Sequence, residues 1–424
     1  MHLLDDLSLR GLIHQQTDAE GLRSHLAEPR SVYAGFDPSR DALTIGNLVP
    51  LLNLVRFQRA GHRVIALMGG GTGLIGDPGG KSEERPLRSY DEIRANVESI
   101  RPTFERLLDF SGPRAAILLN NADWLTKLGF LEALRDLGKH FSVNVMLQRD
   151  SVRERLSGRE QGISYTEFSY MLLQAYDFQY LYDTYGVTVQ LSGSDQWGNI
   201  VSGIELIRKT RRVETFGLTA PLLLKADGTK FGKTESGAVW LSPHRTSPYA
   251  FYQFWLNSLD DDLPRFLNIF TLFEPEKRAE LLAAHAADPG KRPAHRALAA
   301  HVTELVHGPT ELAQAEAATN ALFTGEVTTL SLATLNEVFA AAPSAEIAKS
   351  TLEGSGKPLV ELLTETAVAK SKREAREWLS SNAISVNGRV RSVEDVAQVD
   401  DLLHGELLLI RRGKKNWSVV RARS

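Results

Sequence analysis

Apolar and polar positions fall into alternating blocks over the first half of the chain. Val32-Tyr33-Ala34-Gly35-Phe36 is a short apolar run, and Arg63-Val64-Ile65-Ala66-Leu67-Met68 is a second. Between them Leu48, Leu51, Leu52 and Val55 recur at helical spacing up to Ala60, where Gly61 stops the pattern. These blocks predict a β-α-β unit over residues 32–68. The second run is continuously apolar, as a parallel strand covered on both faces should be. Residues 114–119 and 187–191 read as further strands, with helical stretches at 91–109, 128–140 and 166–185. Strands alternating with helices predict an open, Rossmann-like parallel α/β sheet.

After about residue 245 the pattern becomes helical, with no convincing strand pair up to residue 341. Residues 342–357 are small and polar, with Gly354 and Gly356 near their end, and are expected to be a linker. From Pro358 a helical stretch leads to Ile384-Ser385-Val386-Asn387-Gly388-Arg389-Val390, where Asn-Gly predicts a tight turn between strands. Leu407 to Ile410 and Trp417 to Val420 form a second hairpin candidate around Gly413. The expected organisation is an α/β nucleotide-binding domain (1–244), a helical domain (245–341), a linker (342–357) and a small α+β domain (358–424).

Composition narrows the chemistry. The 424 residues are 42% hydrophobic and 24% charged, an ordinary balance for a folded chain that excludes a disordered one. There is no cysteine, so thiol catalysis and cysteine-ligated metal centres are excluded. No apolar run approaches the ~20 residues of a membrane helix, and the acidic start, Met1 to Asp6, does not read as a signal peptide. No membrane association is expected, and a cytoplasmic location is. Residues 355–424 hold 13 Lys+Arg against 9 Asp+Glu, whereas the whole chain carries a net charge of −3. A basic tail on an acidic body suits a polyanionic partner, and equally a solvated surface.

Three loops carry candidate phosphate chemistry. Gly71, Gly73 and Gly76 follow a strand in GxGxxG spacing, but Asp77-Pro78-Gly79-Gly80 then breaks the helix a dinucleotide site needs. A P-loop ending at Gly80-Lys81-Ser82 would need glycine where Ile75 stands. The stretch from Asp37 to Asn47 sets small polar side chains before a helix N-terminus, where phosphates bind favourably. In Lys225 to Thr234, Lys230 and Lys233 lie three apart on a glycine-containing loop and can clamp a polyphosphate. Singly, each also fits a capped helix or a charged surface loop.

Together with Gly138 to Asn144 and Gly193-Ser194-Asp195-Gln196-Trp197-Gly198-Asn199, these segments resemble the bacterial tyrosyl-tRNA synthetases, a class I aminoacyl-tRNA synthetase family. The resemblance runs from about residue 30 to the C-terminus. The lysine loop resembles the family's KMSKS signature in the form KFGKT, and Thr44-Ile45-Gly46-Asn47 occupies the place of HIGH. Both histidines of that signature are replaced, so Thr44 and Asn47 can donate hydrogen bonds to phosphate but cannot become cationic. Ser39 stands where many relatives have threonine.

The resemblance implies a tyrosine–tRNA ligase. Tyr170, Gln174 and Asp177 share a helix face by their i, i+4, i+7 spacing. The family pattern assigns Tyr170, Gln174 and Tyr33 to the α-ammonium end of tyrosine, with Asp77 as its anionic partner, and Asp177 to the phenol. Gln196 would face the reacting carboxylate and Asp195 the ATP ribose, with Gly35, Asp37, Gly46, Asn47, Gly193 and Lys233 at the nucleotide. Lys81, Arg85, Lys230 and Lys233 are the implied cations, and Ser39, Thr44 and Asn47 the neutral donors. ATP would bring Mg2+ through its phosphates, without a protein-held metal or organic cofactor. Lys370, Lys372, Arg373 and Arg376 would bind RNA in an αL-type domain, with Arg411, Arg412, Lys414 and Lys415 extending the patch. The implied partners are L-tyrosine, ATP, tRNA(Tyr) and a second copy of the chain, with residues 141–147 as one interface candidate. Changed amino-acid specificity and a catalytically weakened RNA-binding paralogue are the alternatives; Asp177 and Tyr33 argue against the first, and the lysine loop with the complete tyrosine pocket against the second.

Overall fold

The computed structural model describes residues 2–78, 87–149, 152–153, 156, 162–224, 231–234, 237–340, 342–413 and 416–423, with 233–234 and 322–323 described by their backbone alone. Lys81, Arg85, Lys230, Lys414 and Lys415 lie outside the described residues. The chain divides into two compact units, Met1–Val306 and His307–Ser424.

The first unit is built on a six-stranded sheet: β1 (Gln15–Gln16), β2 (Ser31–Phe36), β3 (Arg63–Met68), β4 (Ile117–Asn120), β5 (Val187–Gly193) and β6 (Phe216–Ala220), in the order β1-β6-β5-β2-β3-β4. All neighbours are parallel except β1, which runs antiparallel to β6. From β2 the chain moves outward to β3 and β4, then returns to lay β5 and β6 on the other side of β2. The strand order therefore reverses between β2 and β5, where open α/β sheets bind ligands. The helix Leu48–Arg59 buries nearly every side chain from Leu48 to Phe57, which accounts for its unusually apolar sequence. It ends at Ala60, and Gly61 follows with a positive φ of 96°, as expected for a helix stop.

The helix Tyr165–Tyr185 is capped at both ends. The Ser164 side chain accepts the Glu167 N–H, and Gly186 takes the left-handed conformation. The stretch 128–140 differs from the expected continuous helix: it is an α-turn (Phe130–Glu132), a π-turn (Ala133–Leu137) and a 3-10 turn (Gly138–His140). Of Phe130 to His140 only Leu137 is buried, while Phe130 and Leu131 are 67% and 79% exposed. A helix without a packed apolar face lacks its main source of stability.

The second unit contains a five-stranded sheet ordered β12-β11-β14-β15-β9: β9 (Ser344–Ala348), β11 (Ile384–Val386), β12 (Arg389–Val390), β14 (Leu407–Arg412) and β15 (Asn416–Arg423). Both expected hairpins form, and Asn387 and Gly388 take positive φ in the first turn. The domain expectation needs correction in two places. Residues 342–357 are not a linker, because β9 pairs in parallel with β15 from Ser344↔Val419 to Ala348↔Arg423. Residues 245–341 are not a unit of their own, since the division falls after Val306. Small polar side chains disguised β9: its place comes from backbone pairing with a strand some 75 residues later, which composition does not report.

Candidate active site

A cavity of about 540 Å³ opens at the strand reversal. β2 and its exit supply Tyr33, Gly35, Asp37 and Ser39; the next loop supplies Thr44, Gly46 and Asn47. Asp77 comes from the loop after β3, and Tyr170, Gln174 and Asp177 from one face of the helix Tyr165–Tyr185. Gly193, Asp195 and Gln196 come from the end of β5. Every expected site residue of the first unit with a described side chain thus faces one space. A Cβ on Gly69 would overlap the Asp37 carboxylate, and one on Gly193 would meet Asp195 Oδ1 at 2.6 Å. Both glycines let backbone and carboxylate approach closely.

The deep end is organised around Asp177, 2% exposed. Asn121 Nδ2 donates to its Oδ2 at 2.8 Å and Trp124 Nε1 to its Oδ1 at 2.7 Å. Burial nevertheless pushes its carboxyl up to about 7, against the opposing effect of those two donors. Tyr33 packs on Phe178 with ring centroids 5.3 Å apart, and its buried hydroxyl has no hydrogen-bond partner among the described residues. Burial, and then the charge of Asp177, hold that hydroxyl well above its ordinary range. Tyr33 was expected at the ammonium end of the pocket; the carboxylate acting on its hydroxyl is Asp177.

Nearer the mouth, Tyr170 donates its hydroxyl to Asp37 Oδ2 at 2.9 Å, and Thr72 Oγ1 donates to Asp37 Oδ1 at 2.8 Å. Burial, then Asp37 and Asp77, raise the Tyr170 hydroxyl well above its usual range. Gln196 Nε2 donates to Asp77, and to Asp195 at 3.1 Å. Asn199 Nδ2 donates to both Gln174 Oε1 and Gln196 Oε1 at 3.0 Å. Thr44 donates its backbone N–H and its hydroxyl to Asn47 Oδ1, at 3.0 and 2.9 Å. Asn47 Nδ2 is left without a partner among the described residues.

Asn121, Trp124, Thr72 and Asn199 were not singled out as site residues from the sequence. Asn121 could have been: it directly follows β4, at the strand end where such a sheet gathers its ligand groups. Lys233 is described by its backbone, in β7 (Lys233–Thr234) paired with β8 (Gly237–Ala238), and Phe231 just before it lines the cavity.

In the second unit Lys370, Lys372, Arg373 and Arg376 are all exposed. The helix Lys372–Ser380, capped by Ser371, buries Ala375 and Leu379 and so turns its basic positions outward. Lys372 pairs with Glu361 at 2.9 Å, whereas Arg373 and Arg376 have no ion-pair partner among the described residues. The guanidinium of Arg412 lies 4.3 Å from the Trp378 ring centroid.

Residues 25–324 match the family of tRNA synthetases class I (W and Y), and residues 335–420 match the tyrosine–tRNA ligase SYY-like C-terminal domain. The chain is 50% identical to a tyrosine–tRNA ligase of Roseiflexus castenholzii, over 99% of both chains. It is 49% identical to one of Geobacillus kaustophilus, over 99% of this chain and 100% of that one. A C-terminally truncated mitochondrial tyrosyl-tRNA synthetase of Aspergillus nidulans superposes with a TM-score of 0.69 at 30% identity, covering 76% of this chain and 94% of that one. With the cavity at the strand reversal and these matches along nearly its whole length, the chain belongs to the tyrosine–tRNA ligase family of the class I aminoacyl-tRNA synthetases.

Proposed function

We propose that the cavity activates L-tyrosine with ATP and that the second unit holds tRNA(Tyr) for the transfer that follows. In the first step the tyrosine carboxylate attacks the α-phosphate in line; the bond to the β-phosphate oxygen breaks, and pyrophosphate leaves. In the second, a ribose hydroxyl of the terminal tRNA adenosine attacks the adenylate carbonyl, and AMP leaves. Magnesium arrives with the nucleotide, bound to its phosphates.

The observation that carries this reading is the deep end of the pocket: a buried carboxylate held by two neutral donors, beside a buried hydroxyl with no partner among the described residues. A phenol entering there donates to Asp177 and accepts from Tyr33, so both buried groups become satisfied. Phenylalanine leaves the Tyr33 hydroxyl unpaired and gives Asp177 no donor beyond Asn121 and Trp124, so the desolvation of the hydroxyl and of the charge goes uncompensated. We therefore assign Tyr33 and Asp177 to the phenol, and Tyr170, Gln174, Asp77 and Gln196 to the ammonium and carboxylate end. Asp195 is assigned to the ATP ribose, and Gly35, Asp37, Gly46 and Gly193 to close backbone or carboxylate approach around the nucleotide.

Negative charge builds on the phosphates as the adenylate forms, so catalysis rests on positioning and on donors aimed at those oxygens. Ser39, Thr44 and Asn47 are the neutral donors. Lys81, Arg85, Lys230 and Lys233 are the cations, with the lysine loop carrying the charge that Thr44 and Asn47 cannot. Arg373 and Arg376 are assigned to RNA phosphate. The exposed apolar side chains Phe130, Leu131, Val143 and Val145 support a homodimer formed over that face. A cytoplasmic location is the setting we assign to this activity.

The test is amino-acid-dependent exchange of pyrophosphate into ATP. Exchange with tyrosine and none above background with phenylalanine is expected; equal exchange with both would overturn the tyrosine assignment.

A further inference from the structure

Away from the cavity, three side chains converge where successive helical elements meet. Asp260 opens the 3-10 turn Asp260–Asp262, His285 lies in the last turn of the helix Pro275–Ala287, and His295 in the first turn of the helix Pro293–His307. Asp260 Oδ1 is 3.4 Å from His285 Nε2 and 3.3 Å from His295 Nε2, and the two rings lie 4.9 Å apart edge to face. One ligand atom from each residue falls within 4.8 Å of the other two. His295 is wholly buried, His285 nearly so, while the Asp260 side chain is 64% exposed.

These distances are long for charge-assisted hydrogen bonds, which run about 2.7–2.9 Å. These two separations match the edge of a tetrahedron around a metal with bonds of 2.0–2.1 Å to nitrogen and oxygen, which is about 3.3–3.4 Å; the third, between the two imidazole nitrogens, lies within 4.8 Å. Both Nδ1 atoms are buried without a partner among the described residues, in either tautomer. With Nε2 protonated, His295 donates to Ser258 O at 3.1 Å and both rings can point an N–H at Asp260. With Nδ1 protonated, two Nε2 lone pairs and a carboxylate oxygen face one another, an arrangement that only a cation makes favourable.

We propose that Asp260, His285 and His295 form a site for one divalent transition-metal ion of the zinc class, with a further position open to solvent beside Asp260. Two imidazoles and one carboxylate suit zinc better than magnesium or calcium, which prefer oxygen. None of the three residues lines the cavity, so the ion would tie helical elements together and take no part in tyrosine activation.

The full chain, stripped with chelator and dialysed, is titrated with Zn2+ alone by calorimetry, alongside Asp260→Asn and His285→Gln. Asp260 is exposed, so D260N tests the site without disturbing the core. One equivalent per chain is expected, with Tm rising as Zn2+ increases because the ion binds only the folded state. Each variant should weaken that binding roughly tenfold or more, by loss of one ligand. No saturable binding to the wild-type chain, or the same affinity in D260N and H285Q as in the wild type, would overturn the site.

Discussion

Asp177 places selectivity and stability in opposition at one position. Its carboxyl ionises near 3.8 in an open chain and is raised to about 7 in the folded one. Below about 4 it is protonated in both states, and its burial carries no charge penalty. As pH rises through about 7 the folded chain must hold a buried charge, so stability present at low pH is lost by at most about 4 kcal/mol from this group. In Asp177→Asn this contribution to the slope of stability against pH between 4 and 7 should vanish, while tyrosine-dependent pyrophosphate exchange falls sharply. Denaturant titrations at pH 5 and pH 8 read the first effect. An unchanged slope would mean that Asp177 does not carry the raised ionisation. The amide nitrogen of the variant would also face a donor, Asn121 or Trp124, at a cost of about 1–3 kcal/mol, so the slope is more telling than the stability at any single pH. Lys233 is assigned to a different stage of the reaction. In that assignment its charge would meet phosphates that become more negative only as the adenylate forms, so Lys233→Ala should slow single-turnover adenylation with little change in tyrosine binding. Equal rates in variant and wild type would remove it from the reaction.

Elements with strong local periodicity were legible before any coordinates. The helix from Leu48, the strands at 32–36 and 63–68, and the shared face of Tyr170, Gln174 and Asp177 follow from spacing, and the structure has all of them. What escaped the sequence depends on distant partners. Asn121 and Trp124 matter because β4 and the turn after it deliver them to Asp177 more than fifty residues away, and polarity alone does not mark them. Tyr33 was placed at the ammonium end by the family resemblance, and its proposed place beside Asp177 rests on packing that the sequence does not show. In the region 128–147 the stretch 128–140 read as helix and 141–147 as interface or core alike, and Phe130, Leu131, Val143, Val145 and Leu147 are exposed in the single chain. A second copy seated there would cover them. Sedimentation of the wild-type chain should therefore give twice 46.9 kDa, and Leu131→Glu combined with Val143→Glu should shift it toward the single-chain mass. A concentration-independent 46.9 kDa for the wild type would rule the dimer out.

At the scale of the whole molecule, the position of a cut decides what survives. The cavity and every residue assigned to tyrosine and ATP lie before residue 245, and the synthetase match ends at residue 324. A chain ending at Gly325 should fold and exchange pyrophosphate, because nothing assigned to activation is removed. It should charge tRNA poorly, since residues 355–424 carry 13 of the 49 Lys+Arg. What tRNA binding remains should depend less steeply on salt, as fewer phosphates are neutralised. A chain ending at Ser355 removes the same basic residues except Lys349 but keeps β9 after deleting β15, its only strand partner among the described residues. Unpaired backbone groups on that strand invite association with other chains. The longer truncation should therefore be the more prone to aggregate, although it retains more of the sequence. Light scattering on both proteins, with pyrophosphate exchange and tRNA charging measured on each, separates the cases. If the chain ending at Ser355 stays dispersed while the one ending at Gly325 aggregates, then residues 326–355 stabilise the first unit, and the division after Val306 is not where the chain comes apart.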